Sequence, residues 1–164
     1  MTTVRTTDPY LPSSGRTAMT TGFSRTDFLT ADDLDFLRRP LFGFLSVAGG
    51  PDPAQPRPVW FEATDEGTIE LFTDPASPKV RRLGRDPRAS IIVATPVGER
   101  ERWVSVTGRV TIESDGAHDL LARLFARYWD DLHDPARAEE LAGMLAADWV
   151  RIVLHPETVR RFAN

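Results

Sequence analysis

The stretch TDPASPKVRRLGRDPR, residues 73–88, concentrates positive charge beside two hydroxyl side chains. Thr73 and Ser77 carry the hydroxyls, and Lys79 and Arg82 are among the basic residues that follow. Basic groups and hydroxyls that converge on one point can hold a phosphate, because each charge-assisted hydrogen bond contributes roughly 1.5–3 kcal/mol. The pattern predicts an anion site, and the alternative is a solvated basic helix whose arginines pair with acidic residues.

The same stretch predicts a short helix. Ser77 is a good N-cap and Pro78 suits the first helical position, whereas Asp86 precedes Pro87 and ends the helix. Lys79 then lies in the first turn, where the helix dipole disfavours a cation by roughly 0.3–1 kcal/mol. An anion bound near the free N–H groups of that turn would offset this cost.

Composition restricts the possible classes of protein. The 164 residues suffice for one domain, and they include no cysteine, which excludes thiolate chemistry, cysteine-ligated zinc and iron–sulfur clusters. No apolar run approaches the ~20 residues of a membrane span. The net charge of −4 lacks the basic balance of a nucleic-acid binder. We therefore expect a cytoplasmic protein with neither a membrane nor a nucleic acid as partner.

Other chemistry-bearing residues give no recognisable motif. The three histidines, His118, His133 and His155, form neither HxxxH nor HExxH, so we expect no metal site. A nucleophile elbow, a P-loop and the dinucleotide-binding glycine pattern are likewise missing from the sequence. No catalytic residue is identified, and if the protein is an enzyme we expect a bound cofactor to carry the reaction.

The predicted elements describe a mainly β domain with flanking helices, of the α+β class. Residues 1–24 predict an extended or disordered arm, and residues 25–164 a single domain. A helix is expected from Thr30 to the residues before Pro40, and two more from Ala117 and from Pro135 to residue 147. Strands are predicted at 41–49, 58–64, 68–73, 89–95, 102–113 and 148–156, the last followed by a short C-terminal turn. This order suggests an antiparallel barrel with the helices outside.

Two adjacent aromatic residues belong to one predicted strand. Trp60 and Phe61 must point to opposite faces, because side chains alternate along a strand. Trp103 begins another strand in a similar way. An outward aromatic side chain could contact a flanking helix or a partner chain, or it could pack beside a flat cofactor ring.

The run from Thr73 to Val93, followed by RWVSVTGRVTI, resembles the pyridoxamine 5'-phosphate oxidase-like split-barrel flavoprotein family over roughly residues 28–160. The family has a strand ending in Thr, a Ser-x-Lys turn, an Asn/Asp-Pro-Arg and a Val-x-Val-x-Gly strand. The matching residues here are Thr73, Ser77-Pro78-Lys79, Asp86-Pro87-Arg88 and Val104-Ser105-Val106-Thr107-Gly108.

The resemblance implies an antiparallel, homodimeric split β-barrel that binds FMN or, as an alternative, the deazaflavin coenzyme F420. It implies a phosphate site with Lys79, Thr73 and Arg57, to which we add Ser77 and Arg82. Pro78 replaces a phosphate-binding arginine of the oxidases, and Trp103 stands where they have Gln. The implied neighbours of the cofactor ring are Val59, Trp60, Phe61 and Trp103.

The implied activity is that of an oxidoreductase that transfers hydride through N5 of the ring to a small organic substrate. Pyridoxamine phosphate oxidation itself is not implied, because the end HPETVRRFAN lacks the Trp and Arg-x-His segment of the oxidases. We expect the loop 94–102 and the N-terminal arm to lie near the substrate. The alternatives are a non-catalytic haem or cofactor carrier, with His155 as an iron ligand, and a barrel that stacks nucleic acid on its aromatic residues.

Overall fold

The computed structural model describes residues 28–129 and 134–164. The arm predicted for residues 1–24, the start of the domain at residue 25 and His133 lie outside these ranges. The described helices are α1 (Ala31–Leu37), α2 (Pro78–Leu83), α3 (Ala117–Tyr128) and α4 (Pro135–Leu145). The described strands are β1 (Gly43–Val47), β2 (Arg57–Val59), β3 (Glu62–Ala63), β4 (Ile69–Thr73), β5 (Arg88–Ala94), β6 (Arg102–Glu113) and β7 (Val150–Ala163).

The strands form one antiparallel sheet in the order β2-β1-β5-β6-β7-β4-β3, curled into a half-barrel. Alternate residues of the central strands point inward, such as Val104 and Val106 of β6. The apolar stripe of α3, which includes Leu120 and Leu124, is fully buried. The predicted split-barrel architecture is confirmed. Among the described residues, no helix is long and apolar enough to cross a membrane.

The predicted single strand over residues 58–64 is wrong. Its two halves lie at opposite edges of the sheet, since β2 pairs with β1 and β3 pairs with β4. Trp60 and Phe61 form the corner between them. Phe61 is fully buried in the core, while Trp60 packs against α3. Because β2 and β3 occupy the two outermost places of the sheet, one straight strand could not serve both.

The predicted end of the chain is also wrong. Strand β7 continues to Ala163, where a C-terminal turn was expected. Strand β6 is twelve residues long and pairs with β7 along its whole length, from Arg102 opposite Ala163 to Glu113 opposite Arg151. A register shift at Gly108 absorbs one extra residue of β7, so that pairing continues past it. Two helices end earlier than predicted, α2 at Leu83 and α4 at Leu145.

Candidate functional site

All five predicted phosphate-site residues line one cleft of about 350 Å³. One wall of the cleft is built by β1 and by the loop that follows it. The lining residues from the predicted set are Arg57, Thr73, Ser77, Lys79 and Arg82, and the others are Leu45, Ser46, Val47, Gly50, Pro51, Ala54, Gln55 and Pro78. We call this the basic cleft.

Local structure places each of these side chains. Pairing of β2 with β1 sets Arg57 opposite Leu45. Strand β4 ends at Thr73, whose hydroxyl lies 3.5 Å from the Ser77 hydroxyl at the start of α2. Ser77 caps α2 as predicted, since its hydroxyl accepts a hydrogen bond of 3.3 Å from the Val80 N–H. The turn between β4 and α2 therefore brings both hydroxyls to the same side of the cleft.

Lys79 contributes a partly buried cationic group to the basic cleft. Its side chain is half-buried, and burial lowers its pKa from the ordinary lysine value. Among residues 28–129 and 134–164, no carboxylate lies within 4.0 Å of the charged groups of Lys79, Arg57 or Arg82. Three cationic side chains thus meet in a cleft to which the described chain contributes no anion. Such a donor set fits a phosphate group.

The remaining arginines of this region have local roles. Arg81 is exposed and donates a 2.5 Å hydrogen bond to the Ala76 carbonyl. Arg88 pairs with Asp86 at 2.6 Å, and its hydrogen bonds lower the pKa of Asp86 to about 2. Of the basic residues in this region, Arg82 lines the cleft, whereas Arg81 and Arg88 do not.

A second, apolar groove of about 310 Å³ is lined mainly by aromatic and apolar residues, and we call it the aromatic groove. Residues adjacent in sequence on β2 and β4 line the two cavities, since Pro58 follows Arg57 and Phe72 precedes Thr73. Trp60 lines the groove and also stacks on Tyr128 of α3, with the ring centroids 5.1 Å apart. The residues that line the aromatic groove are Phe42, Pro58, Val59, Trp60 and Phe72.

Two predicted neighbours of the cofactor ring, Phe61 and Trp103, line neither the basic cleft nor the aromatic groove. Phe61 is fully buried in the core, so its side chain faces neither the basic cleft nor the aromatic groove. Trp103 stacks on Phe162 with the centroids 6.1 Å apart, and it lines neither cavity.

The other candidates also lie apart from the basic cleft. The loop 94–102 connects β5 to β6 and is joined to the segment after α1 by an ion pair of 2.7 Å between Arg39 and Glu99. The His155 Nε2 atom lies 3.1 Å from the Thr111 hydroxyl. Within the described ranges, no three His, Asp or Glu side chains are grouped so that they could hold a metal ion.

Sequence reasoning missed several residues that line these cavities. Gly50, Pro51 and Gln55 lie between the predicted strands 41–49 and 58–64 and had no predicted role. Phe72 was included in strand β4 without a role, although its neighbours Leu71 and Thr73 are buried and Phe72 is more exposed. The alternation along β4 could have marked Phe72 as facing away from the core.

Comparisons with known proteins find the same fold. Among solved structures, the conserved hypothetical protein Rv2991 from Mycobacterium tuberculosis is 25% identical, with a TM-score of 0.66 over 85% of this chain and 89% of its own. A protein named F420 reductase is 26% identical, with a TM-score of 0.59 over 77% of this chain and 94% of its own. An FAD-binding protein from Mesorhizobium loti, 20% identical, covers 83% of this chain and 96% of its own with a TM-score of 0.57, and shows the fold alone.

A comparison with curated proteins gives no match. The sequence profile of the pyridoxamine 5'-phosphate oxidase family matches residues 29–162, which is most of the chain. The match spans the strands that build the cleft and the turn that carries Ser77 and Lys79. The chain therefore belongs to the pyridoxamine 5'-phosphate oxidase family.

Proposed function

We propose that this protein is an oxidoreductase that holds a phosphate-bearing, flavin-type cofactor and passes hydride to a small organic substrate. The observation that carries the proposal is that neighbouring residues of β2 line one basic and one apolar cavity. Arg57, Lys79 and Arg82 meet in the basic cleft without a described carboxylate, and the aromatic groove begins at the next residue of β2. A ligand with a phosphate at one end and a flat ring at the other matches this arrangement.

The residues present fit such a cofactor in their chemistry. When bound, it supplies a ring that takes up and releases hydride at N5. The chain supplies binding and orientation, with Lys79 and Arg57 as donors to the phosphate. Val59 and Trp60 give the ring an apolar wall that excludes water and strengthens electrostatic interactions nearby.

FMN and coenzyme F420 are the two candidates for this cofactor. FMN ends in its phosphate, whereas F420 continues into a long anionic tail. Lys79, Arg82 and Arg85 recur every three residues along and just beyond α2, which gives a tail a row of cationic groups. The 26% identical relative named F420 reductase also supports F420. FMN remains the candidate implied by the resemblance to the flavoproteins.

We also propose that the protein is a homodimer. Apolar side chains on the outward face of the sheet stay exposed in the single chain, with Phe44 at 44%, Ile92 at 40% and Phe162 at 41%. Phe44 lies opposite Ile92 across β1 and β5, and Trp103 lies opposite Phe162 across β6 and β7. A second copy would remove this apolar surface from water.

The test is a titration of the purified protein with FMN and, separately, with F420, followed by tryptophan quenching and ring absorbance. We expect one of the two to bind tightly. The loaded protein is then mixed with candidate acceptors while reoxidation of the reduced ring is followed. Binding of neither cofactor by the wild-type protein would refute the proposal.

The carrier alternative is tested in the same series. Tight binding without any ring turnover would favour a cofactor carrier. Haem is added as a third ligand, and a Soret band that disappears in His155→Ala would favour haem binding over the oxidoreductase.

A further inference from the structure

One wall of the aromatic groove is carried by the α1–β1 linker, residues 38–42, which includes Phe42. Three carbonyls at the end of α1 and in this linker accept hydrogen bonds from the C-terminal end of α3. The Arg127 guanidinium donates hydrogen bonds of 2.5 and 2.6 Å to the carbonyls of Leu37 and Arg39. The Tyr128 hydroxyl donates a 2.8 Å hydrogen bond to the Leu41 carbonyl, next to Phe42.

Tyr128 contacts the second wall of the groove as well. Its ring stacks on that of Trp60, with an interplanar angle of 9°. Its hydroxyl lies 3.4 Å from both the N and the O of the Phe61 backbone. One side chain of α3 therefore touches the segment that carries Phe42 and the corner that carries Trp60.

Tyr128 and Arg127 both remain hydrogen-bond donors to the backbone that they contact. Burial raises the pKa of Tyr128, so its hydroxyl stays protonated and remains a donor at neutral pH. Arg127 is half-buried, and among the described residues no carboxylate lies within 4.0 Å of its guanidinium. Its guanidinium donates instead to two backbone carbonyls, that of Leu37 at the end of α1 and that of Arg39 in the linker.

We propose that Tyr128 is a positioning residue that sets the spacing between Phe42 and Trp60, the two walls of the aromatic groove, and that Arg127 holds the same linker in place. The inference rests on the proposed function, because the groove is taken as the site of the cofactor ring. Tyr128 itself lies behind Trp60 and does not line the groove. Its effect on a bound ring passes through the two walls.

The test is Tyr128→Phe, which keeps the ring that stacks on Trp60 and removes only the hydroxyl. Affinity for the cofactor that the wild-type protein binds should fall about 2- to 10-fold, the size of one net hydrogen bond. Affinity for inorganic phosphate should stay unchanged, because the basic cleft is built by other residues. The absorption band of the bound ring should also shift, since the groove walls form its environment.

A matched control separates positioning from a general loss of stability. Thr64→Val also removes a hydroxyl, one bonded to the Thr68 hydroxyl at 2.8 Å and to its N–H at 3.2 Å in the β3–β4 hairpin. This variant should lower the unfolding temperature by a similar amount and leave the ratio of cofactor to phosphate affinity unchanged. Equal losses of that ratio in both variants would overturn the inference.

A second measurement needs no cofactor. Acrylamide quenching of tryptophan fluorescence should increase in Tyr128→Phe, because Trp60 loses its fixed position. The increase should vanish when Trp60→Phe is present in both backgrounds. If quenching and ring affinity both match the wild type, Tyr128 has no positioning role. Failure of the wild-type protein to bind either cofactor would refute the proposed function, whereas the quenching comparison would still decide the role of Tyr128.

Discussion

Replacement of Lys79 by methionine should lower the affinity for the cofactor and raise the stability of the cofactor-free protein. Lys79 is half-buried without a described acidic partner, and burial lowers its pKa because the ammonium group loses water contacts. Methionine has a similar length and carries no charge. The variant should therefore stabilise the cofactor-free protein while removing one of the cationic donors of the basic cleft.

The expected loss of affinity follows from the strength of a charge-assisted hydrogen bond. Loss of about 1.5–3 kcal/mol corresponds to a dissociation constant for FMN or F420 that is roughly 10- to 100-fold larger. The assay is a fluorescence titration of the wild-type protein and the variant at constant ionic strength. Arg81→Met is the matched control, because it removes the same charge from α2 at an exposed position outside the cleft.

The pH dependence has a definite sign. Between its lowered pKa and the ordinary value of 10.5, Lys79 is neutral in the folded protein and charged in the unfolded chain. The unfolded chain then binds more protons, so stability should rise with pH through this window, and Lys79→Met should abolish that rise. Affinity for the phosphate should fall over the same window, because the neutral amine no longer attracts an anion.

Two results would refute this reasoning. If Lys79→Met weakens cofactor binding no more than Arg81→Met, Lys79 does not contact the phosphate. If the variant is less stable than the wild-type protein without cofactor at neutral pH, burial of the Lys79 charge carries no cost that a bound anion could offset.

Three further predictions concern the scaffold. Gly108→Ala places a Cβ atom 1.9 Å from the His155 carbonyl oxygen at the register shift, so the unfolding temperature in a circular dichroism melt should fall by several degrees. Burial opposes ionisation of Asp33, yet its hydrogen bonds, chiefly from Arg161, lower its pKa below 3.8. Asp33→Asn should lower the free energy of unfolding by about 2 kcal/mol at pH 7, as measured by urea titration. The difference from the wild-type protein should shrink as pH falls through the pKa of Asp33. Phe162→Glu should convert the proposed dimer into monomers, and an unchanged mass by sedimentation equilibrium would contradict that interface.

The local signals of the sequence were sufficient for the turn that carries Ser77 and Lys79 into the basic cleft. Ser77, Pro78 and Lys79 lie in one turn, and the cap and first position of α2 depend only on neighbours in the chain. Strands β4, β5 and β6 begin and end within one residue of the predicted bounds, because their apolar alternation and flanking turn residues are local as well. These segments also carry the residues on which the family resemblance depends.

Tertiary structure decided the aromatic groove. Adjacent positions in one strand fix only that Trp60 and Phe61 point in opposite directions. Which edge pairs with β2 and which with β3, and hence where the chain must turn, depends on the order of seven strands distant in sequence. Tyr128 belongs to the helix predicted from Ala117, and its contacts with Leu41 and Trp60 arise once α3 packs against the sheet.

Strands β6 and β7 also differ in how far the sequence alone predicts them. Alternation predicted β6 correctly, but the extension of β7 to Ala163 was not visible in the polar run that ends the chain. That run becomes a strand because β6 offers it backbone partners along its whole length, and Gly108 lets the His155 carbonyl approach where a side chain would block it. Side-chain pattern is a property of neighbours in sequence, whereas backbone hydrogen bonding between strands is a property of neighbours in space.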